Sequence, residues 1–346
     1  MEFSEKAVVL KAFGSYNCLS VEKFPLPPLD DLIEVEVEYC GVNFVDLYTR
    51  QGLMQHHKLP MVLGTECVGV IKASGCSEEE PLKVGERVIC FDYNGGLFRN
   101  ILRISPLKCY RLPDDIPSEQ GAAIFVNYLT AYFALFELGG LKPYSTVFVS
   151  SCAGGVGCAV TQLAKTLEGV VVVGTASESK HELVKKNGVD HVLHYETLQE
   201  EINDLYPNGF DVIIDNQAAH TFNFLQTKLK QLGKIILIGS NTLIKNDKQL
   251  SLFNMFKVWW QTKDVEAADL ILNNRCVSGL HLGVLAEKEP LKVHEALEKM
   301  FSLLRTEKIK PIIYHTLTVE EIVTASKILA ERKNVGKVLL TMKTKY

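Results

Sequence analysis

The chain has 346 residues, 47% of them hydrophobic and 23% charged, with a formal net charge of -4. This is the balance of an ordinary globular protein, and the length suits two domains with cores of their own. A slightly acidic chain with no long basic run gives no electrostatic reason to expect nucleic acid. The first residues lack a basic segment followed by an apolar one, so no secretory signal is expected there. Nine cysteines (Cys18, Cys40, Cys67, Cys76, Cys90, Cys109, Cys152, Cys158 and Cys276) are scattered without a C-x-x-C pair. That favours reduced thiols in the cytoplasm over a disulfide framework or a cysteine-rich zinc site.

In chain order, residues 7–14 and 32–39 read as strands. The second alternates cleanly, Ile33, Val35, Val37 and Tyr39 against Glu34, Glu36 and Glu38. Pro25, Pro27 and Pro28 make an extended connector between them. Leu59–Gly75 and Leu82–Phe91 supply more short strands with glycine punctuation, so a small barrel fits residues 1 to about 120. Ser118 is placed to cap a helix whose apolar stretch runs to Leu138. Its uncharged part, Gln120 to Phe136, is short for a membrane span and reads better as a buried helix.

The next stretch organises the chain. Thr146–Ser150 is a β-rich run, Gly154-Gly155-Val156-Gly157 follows at once, and apolar residues then recur at helical spacing through Leu167. A second β-rich run occupies Val170–Val173. Strand, glycine turn, helix and strand make one βαβ unit with a phosphate-binding turn, where helix N-terminal amides meet a pyrophosphate. Against G-x-G-x-x-G, the first glycine position is Cys152, and glycines at a helix start also serve simple close packing. Thr175 falls where an NAD-preferring unit carries an acid, with Ser177 and Lys180 close behind. Without that carboxylate, Ser177 and Lys180 can bind a 2′-phosphate, which favours NADPH. The plainer alternative has Lys180 solvating the next helix, with Glu178 weakening the local field. Further strands at Phe210–Asp215 and Gly233–Ser240, with a helix over Thr221–Leu232, predict a doubly wound parallel sheet to about residue 313. A helix over Val319–Glu331 and a terminal strand over 336–340 close the chain.

Ordered matches run along the whole length: CGVNFVDLYTRQG (40–52), LGTECVGV (63–70), VGERV (84–88), AAIFVNYLTAY (122–132), SCAGGVG (151–157), GTASESK (174–180) and NVGKVLL (334–340). On these the chain resembles the zinc-free quinone oxidoreductase branch of the medium-chain dehydrogenase/reductase superfamily. Trp259-Trp260, Leu272–Leu285 and the Gly174–Glu182 stretch are most similar to the vesicle amine transport protein homologues. The resemblance implies an α/β fold with a GroES-like β-barrel domain over 1–121 and 314–346 and a Rossmann NADPH-binding domain over 122–313. It also implies an NADPH-dependent reductase of quinones or α,β-unsaturated carbonyls, commonly a homodimer, with its active site in the cleft between domains.

Where the zinc enzymes of the superfamily carry G-H-E, this chain reads Gly64-Thr65-Glu66, and Cys40 with Glu66 alone cannot close a tetrahedral site. No metal is expected. Reduction then rests on placing an electrophilic carbon against the nicotinamide and stabilising the developing oxygen. The resemblance gives Asn43 a place beside the nicotinamide and Tyr48 the role of cleft proton donor, while Asp46 holds the loop. A second family tyrosine falls on Met54 here. Thr130, the Gly154–Gly157 turn, Ser177, Lys180, Tyr195, Asn216, Gly239, Leu282 and Lys337 match cofactor-facing positions. The family's glycine pair after Asn216 is replaced by Gln217-Ala218-Ala219.

Leu250–Trp260 is unusually apolar and aromatic. A helix buried in its domain or at a dimer interface is the plain reading. A lip for a membrane surface or a hydrophobic substrate is the sharper one. The second supports an alternative function, a cofactor-binding protein peripheral to vesicle or organelle membranes with little turnover.

Overall fold

The computed structural model describes residues 5–53, 58–244, 247 and 265–343. Met54 and the Leu250–Trp260 stretch lie outside them. The chain divides into two units, one of Met1–Phe125, Ile244–Leu250 and Ile313–Tyr346, the other of Val126–Leu243 and Ser251–Ile312.

The first unit is built on β3 (Ile33–Val42), whose two-residue alternation buries Ile33, Val35 and Val37 and leaves the intervening glutamates half-buried. It pairs antiparallel with β5 (Glu66–Ser74), β7 (Ile101–Ile104) and the terminal strand β16 (Lys337–Thr341). β6 (Arg87–Phe91), β8 (Cys109–Arg111) and β15 (Ile313–Thr318) extend this to a seven-stranded sheet. A three-stranded sheet joins β1 (Ala7–Leu10), β2 (Leu19–Glu22) and β4 (Met61–Val62). Val8, Val35, Ile71, Phe98, Val338 and Leu340 belong to one apolar core. The register Val338↔Val42 sets Lys337 beside the end of β3, which matters for the site.

The second unit carries an all-parallel sheet of six strands, in the order His191–Leu193 (β11), Val171–Thr175 (β10), Thr146–Val149 (β9), Phe210–Asp215 (β12), Leu229–Leu237 (β13) and Cys276–Gly279 (β14). Counted within the unit this is the doubly wound order 3-2-1-4-5-6, whose strand order reverses between β9 and β12. Phe148, Val173, Ile213, Phe222 and Ile235 fill one face of the sheet.

Two expected boundaries differ. The helix expected over Thr221–Leu232 is α6, Ala219–Thr227, and β13 begins at Leu229. Leu229 pairs with Phe210, and the register then slips so that Lys234 meets Val212. The bulge lets Leu232 adopt φ 65° and breaks the apolar run that suggested a longer helix. Ser118 is the first residue of helix α2 (Ser118–Tyr132) and not its cap. The Pro117 carbonyl already accepts the Gly121 amide at 3.0 Å, and the Ser118 hydroxyl accepts from Arg87 instead. A π-helical turn, Phe133–Leu138, continues α2. The combined helix is apolar and long enough to cross a membrane by composition alone, yet it is mostly buried.

Candidate active site

In the second unit the candidate residues collect at one edge of the parallel sheet. β9 runs into the Ser151–Gly154 turn, β10 into Ser177 and Lys180, β11 into Tyr195, β12 into Asn216, β13 into Gly239 and β14 into Leu282. All six strands therefore deliver one at the carboxyl end, where open α/β sheets bind ligands.

The glycine turn has a steric basis. A Cβ on Gly157 would strike the Ser151 carbonyl, and one on Gly155 would strike the Asn127 side chain. A Cβ on Gly154 would meet only the Ser151 oxygen, at 3.6 Å, so that face of the turn stays open. Gly154 is the extended N-cap of α3 (Gly155–Ala164), and the amides of Gly155, Val156 and Gly157 open the helix without intrahelical acceptors. A cradle with open backbone beside a helix N-terminus suits a pyrophosphate.

Ser151 joins the edge together. Its hydroxyl accepts from Gln217 Nε2 at 2.8 Å and from the Tyr195 hydroxyl at 3.3 Å. Gln217 also donates to Asn216 Oδ1 at 2.7 Å. Beneath them Asp215 is fully buried and accepts the amides of Gln217 and Ala218 at 3.0 and 3.1 Å; burial raises its pKa. Ala218 takes φ 60°, ψ -162° and Ala219 φ 57°, backbone that glycine adopts without strain. Thr175 is buried and Ser177 exposed, with Lys180 half-buried on the same 3₁₀ turn, Glu178–Lys180. Thr130 is buried on α2, three residues after Asn127. Leu282 is buried at the start of the Leu282–Lys288 helix.

In the first unit Asn43 is the N-cap of α1 (Phe44–Gln51), which also carries the half-buried Tyr48. Asp46 completes a capping box, its Oδ2 accepting the Asn43 amide at 2.8 Å. The Asn43 side chain is held at both ends. Nδ2 donates to Glu66 Oε1 at 2.9 Å, and Oδ1 accepts from Lys337 Nζ at 2.7 Å. Lys337 and Glu66 close the ring as a direct ion pair, with side chains 3% and 1% exposed. Both charges are out of water, so each depends on the other. Asp46 is buried too, and burial is the main reason its pKa rises from 3.8 to about 7. The Asn43 amide and Lys337 oppose that rise, and Glu66 adds to it.

Lys337, expected to face the cofactor, thus spends its ammonium on Glu66 and Asn43. Sequence reading did not assign Glu66, Ser151, Gln217 and Asn127 to the site. The N-x-x-D spacing of Asn43 and Asp46 is a legible capping signal, whereas nothing local links Glu66 to Lys337.

A GroES-like barrel module together with a dinucleotide-type parallel sheet defines a dehydrogenase/reductase architecture. The alcohol dehydrogenase GroES-like domain family matches residues 30–147, and the zinc-binding dehydrogenase family matches residues 155–302. The synaptic vesicle membrane protein VAT-1 homolog of Danio rerio is 37% identical over 98% of this chain and 70% of its own length. VAT-1 of Tetronarce californica is 36% identical over 99% of this chain and 90% of its own. Among solved structures, a human VAT-1 homolog-like protein superposes with a TM-score of 0.84, at 30% identity and 99% coverage of both chains. The quinone oxidoreductase of Escherichia coli, complexed with NADPH, gives 0.82 at 25% identity, covering 97% of this chain and 99% of that one. The chain belongs to the VAT-1 homologue family of the medium-chain dehydrogenase/reductase superfamily, a superfamily of oxidoreductases.

Proposed function

We propose that the protein is a zinc-independent, NADPH-dependent oxidoreductase that reduces quinones or α,β-unsaturated carbonyls. The observation that carries this reading is the strand-end edge, where an open glycine cradle, a helix N-terminus and the Ser177/Lys180 turn lie in the places a phosphorylated dinucleotide needs. NADPH, once bound, supplies a hydride. The amides of Gly155–Gly157 bind its pyrophosphate, Ser177 and Lys180 bind the 2′-phosphate, and Tyr195, Asn216 and Gly239 border the adenosine half. Thr130 and Leu282 line the nicotinamide half. Asn43, fixed by Glu66 and Lys337, orients the reacting groups, and Tyr48 gives its phenolic proton to the oxygen that gains charge. The substrate must bring its own electrophilicity, as a quinone or enone does.

A zinc does not fit the donors of the first unit. Cys40 Sγ donates to the Leu97 carbonyl at 3.5 Å, and Glu66 is already neutralised by an ammonium. Among the described residues no group of three or more His, Cys, Asp and Glu could hold a metal. The domains are proposed to run over 1–121 with 314–346 and over 122–313, the chain to be a cytoplasmic homodimer. Steady-state loss of reduced nicotinamide should occur with a panel of quinones and enones and persist in chelator. Activity abolished by chelation and restored by zinc would refute the reading.

A second reading draws on the relatives' description as synaptic vesicle membrane proteins. In it the chain binds NADPH, docks on membranes and turns over little. NADPH binding with no turnover across the panel, together with flotation on liposomes, would favour it.

A further inference from the structure

Scattered in sequence, four cysteines form one row across the first unit's sheet. Cys40 on β3 is the direct register partner of Cys67 on β5, Cys67 of Cys90 on β6, and Cys90 of Cys109 on β8. Direct partners on antiparallel strands share a face, so the four thiols stand side by side. Glu66 and Phe91, themselves register partners, precede Cys67 and follow Cys90, and alternation turns them to the opposite face. The row therefore lies on the apolar side, away from Asn43. Cys40, Cys67 and Cys90 are fully buried in the core, and only Cys109 is partly exposed.

At that open end Cys109 Sγ donates to Cys90 Sγ at 3.6 Å, sharing its proton with the Ser105 carbonyl. Facing residues on antiparallel strands have Cα atoms about 4.5–5.5 Å apart, within the span a disulfide bridges. The strands are held in this relation by their next residues. Phe91 and Tyr110 both pack against the Phe125 ring, at centroid distances of 4.8 and 4.9 Å. Hydrogen bonds from Cys109, and then from Cys67, draw the Cys90 thiol below its ordinary range. Burial, and then the bond to Cys90, push the Cys109 thiol well above it, so the proton between them rests on Cys109 until that sulfur reacts.

We propose that Cys90 and Cys109 form a reversible thiol–disulfide site, oxidised by hydroperoxides that enter at Cys109. The Cys109 sulfur attacks a peroxide oxygen. An S–O bond forms, the O–O bond breaks, and with hydrogen peroxide the displaced hydroxide leaves as water with the Cys109 proton. Cys90 then attacks the Cys109 sulfur. The S–S bond forms, the S–O bond breaks, and a second water carries off the Cys90 proton. Two thiols are oxidised by two electrons and one peroxide is reduced to two waters. The pair is independent of the proposed reductase chemistry, because neither sulfur belongs to that site. Cys276, exposed but with no cysteine as its strand partner, serves as the internal control for simple surface oxidation.

The test is peptide mapping of the folded, fully reduced chain after graded hydrogen peroxide and an alkylating quench. The expected product is a Cys90–Cys109 linked peptide pair that dithiothreitol reverses and that Cys109→Ser abolishes. In Cys90→Ala, dimedone should trap a sulfenic acid on Cys109, with at least about tenfold more label than in the parent chain, where Cys90 consumes it. The proposal is overturned by a link to Cys67 in place of Cys109. It is equally overturned by sulfinic Cys109 with no link, by equal dimedone labelling of both chains, or by no change at doses that oxidise Cys276. A link that forms only in denaturant would also overturn it.

Discussion

The two units carry their chemistry in different ways. The second offers ends: amides opening a helix, an exposed Ser177 and a half-buried Lys180, all at the edge of a parallel sheet. The first offers an enclosed ring, Asn43, Glu66 and Lys337, with two opposed charges almost wholly out of water. Backbone ends bind phosphates without sacrificing stability, since those amides lack partners anyway. A buried charge pair orients a side chain firmly but leaves the fold dependent on both members. One region can lose a contact and bind less well. The other can lose a contact and unfold.

The largest effect should come from opening the ring. Lys337→Met leaves Glu66 buried without its cation, and urea unfolding should show a loss of about 3–5 kcal/mol. Adding Glu66→Gln should recover much of it, because the stranded charge goes too. A loss in the double variant equal to the sum of the two single losses would mean that the pair acts as two separate packing groups.

Next is the pH dependence that Asp46 gives to the same region. Its pKa is 3.8 ordinarily and about 7 in the fold, so between those values the folded chain keeps a proton that the unfolded chain has lost. The stability from this proton is complete below pH 3.8, is lost as pH rises, and has gone above about pH 7. Asp46→Asn, which mimics the protonated group, should flatten the fall by up to about 1.4 kcal/mol per pH unit within that window. An unchanged slope would mean that Asp46 is ionised throughout.

In the second unit the effects should fall on binding. Lys180→Ala should weaken NADPH by roughly tenfold to a hundredfold and leave NADH nearly unchanged, and salt should erode the wild-type preference. Fluorescence titration of both cofactors decides this, and equal losses for both would make Lys180 a structural residue. The smallest effect is expected at Ala218, where φ 60° and ψ -162° strain a residue with a Cβ. Relief of about 1–3 kcal/mol, set against the lost methyl and the freer unfolded chain, leaves Ala218→Gly more stable by up to about 1 kcal/mol. Thermal unfolding of the two chains measures it.

The same contrast explains what could be read from sequence. The glycine turn, the strands beside it and Thr175 lie within one short stretch, so periodicity and spacing reach them directly. The alternation of Ile33–Tyr39 likewise marks β3 without reference to its partner strands. Lys337 lies 294 residues from Asn43 and 271 from Glu66, brought there only by β16 pairing with β3. No local pattern encodes that pairing, so nothing in the sequence signals the ion pair of Lys337 with Glu66. The cysteine row escaped for the same reason, since register across β3, β5, β6 and β8 aligns residues that look scattered along the chain. Ala218 and Ala219 hid the turn after β12, because glycine is the residue whose presence signals positive φ.

The proposed division of labour, chemistry in the first unit and cofactor binding in the second, is tested most directly by Tyr48→Phe with two readouts on one preparation. The phenyl ring keeps the packing of Tyr48 beside Phe44, whose ring lies 6.4 Å away, and removes the phenolic hydroxyl that would give the proton. NADPH titration should be unchanged, while kcat with the best quinone or enone should fall by about a hundredfold or more. Unchanged turnover, or a loss of NADPH affinity that accounts for the whole decrease, would contradict the account.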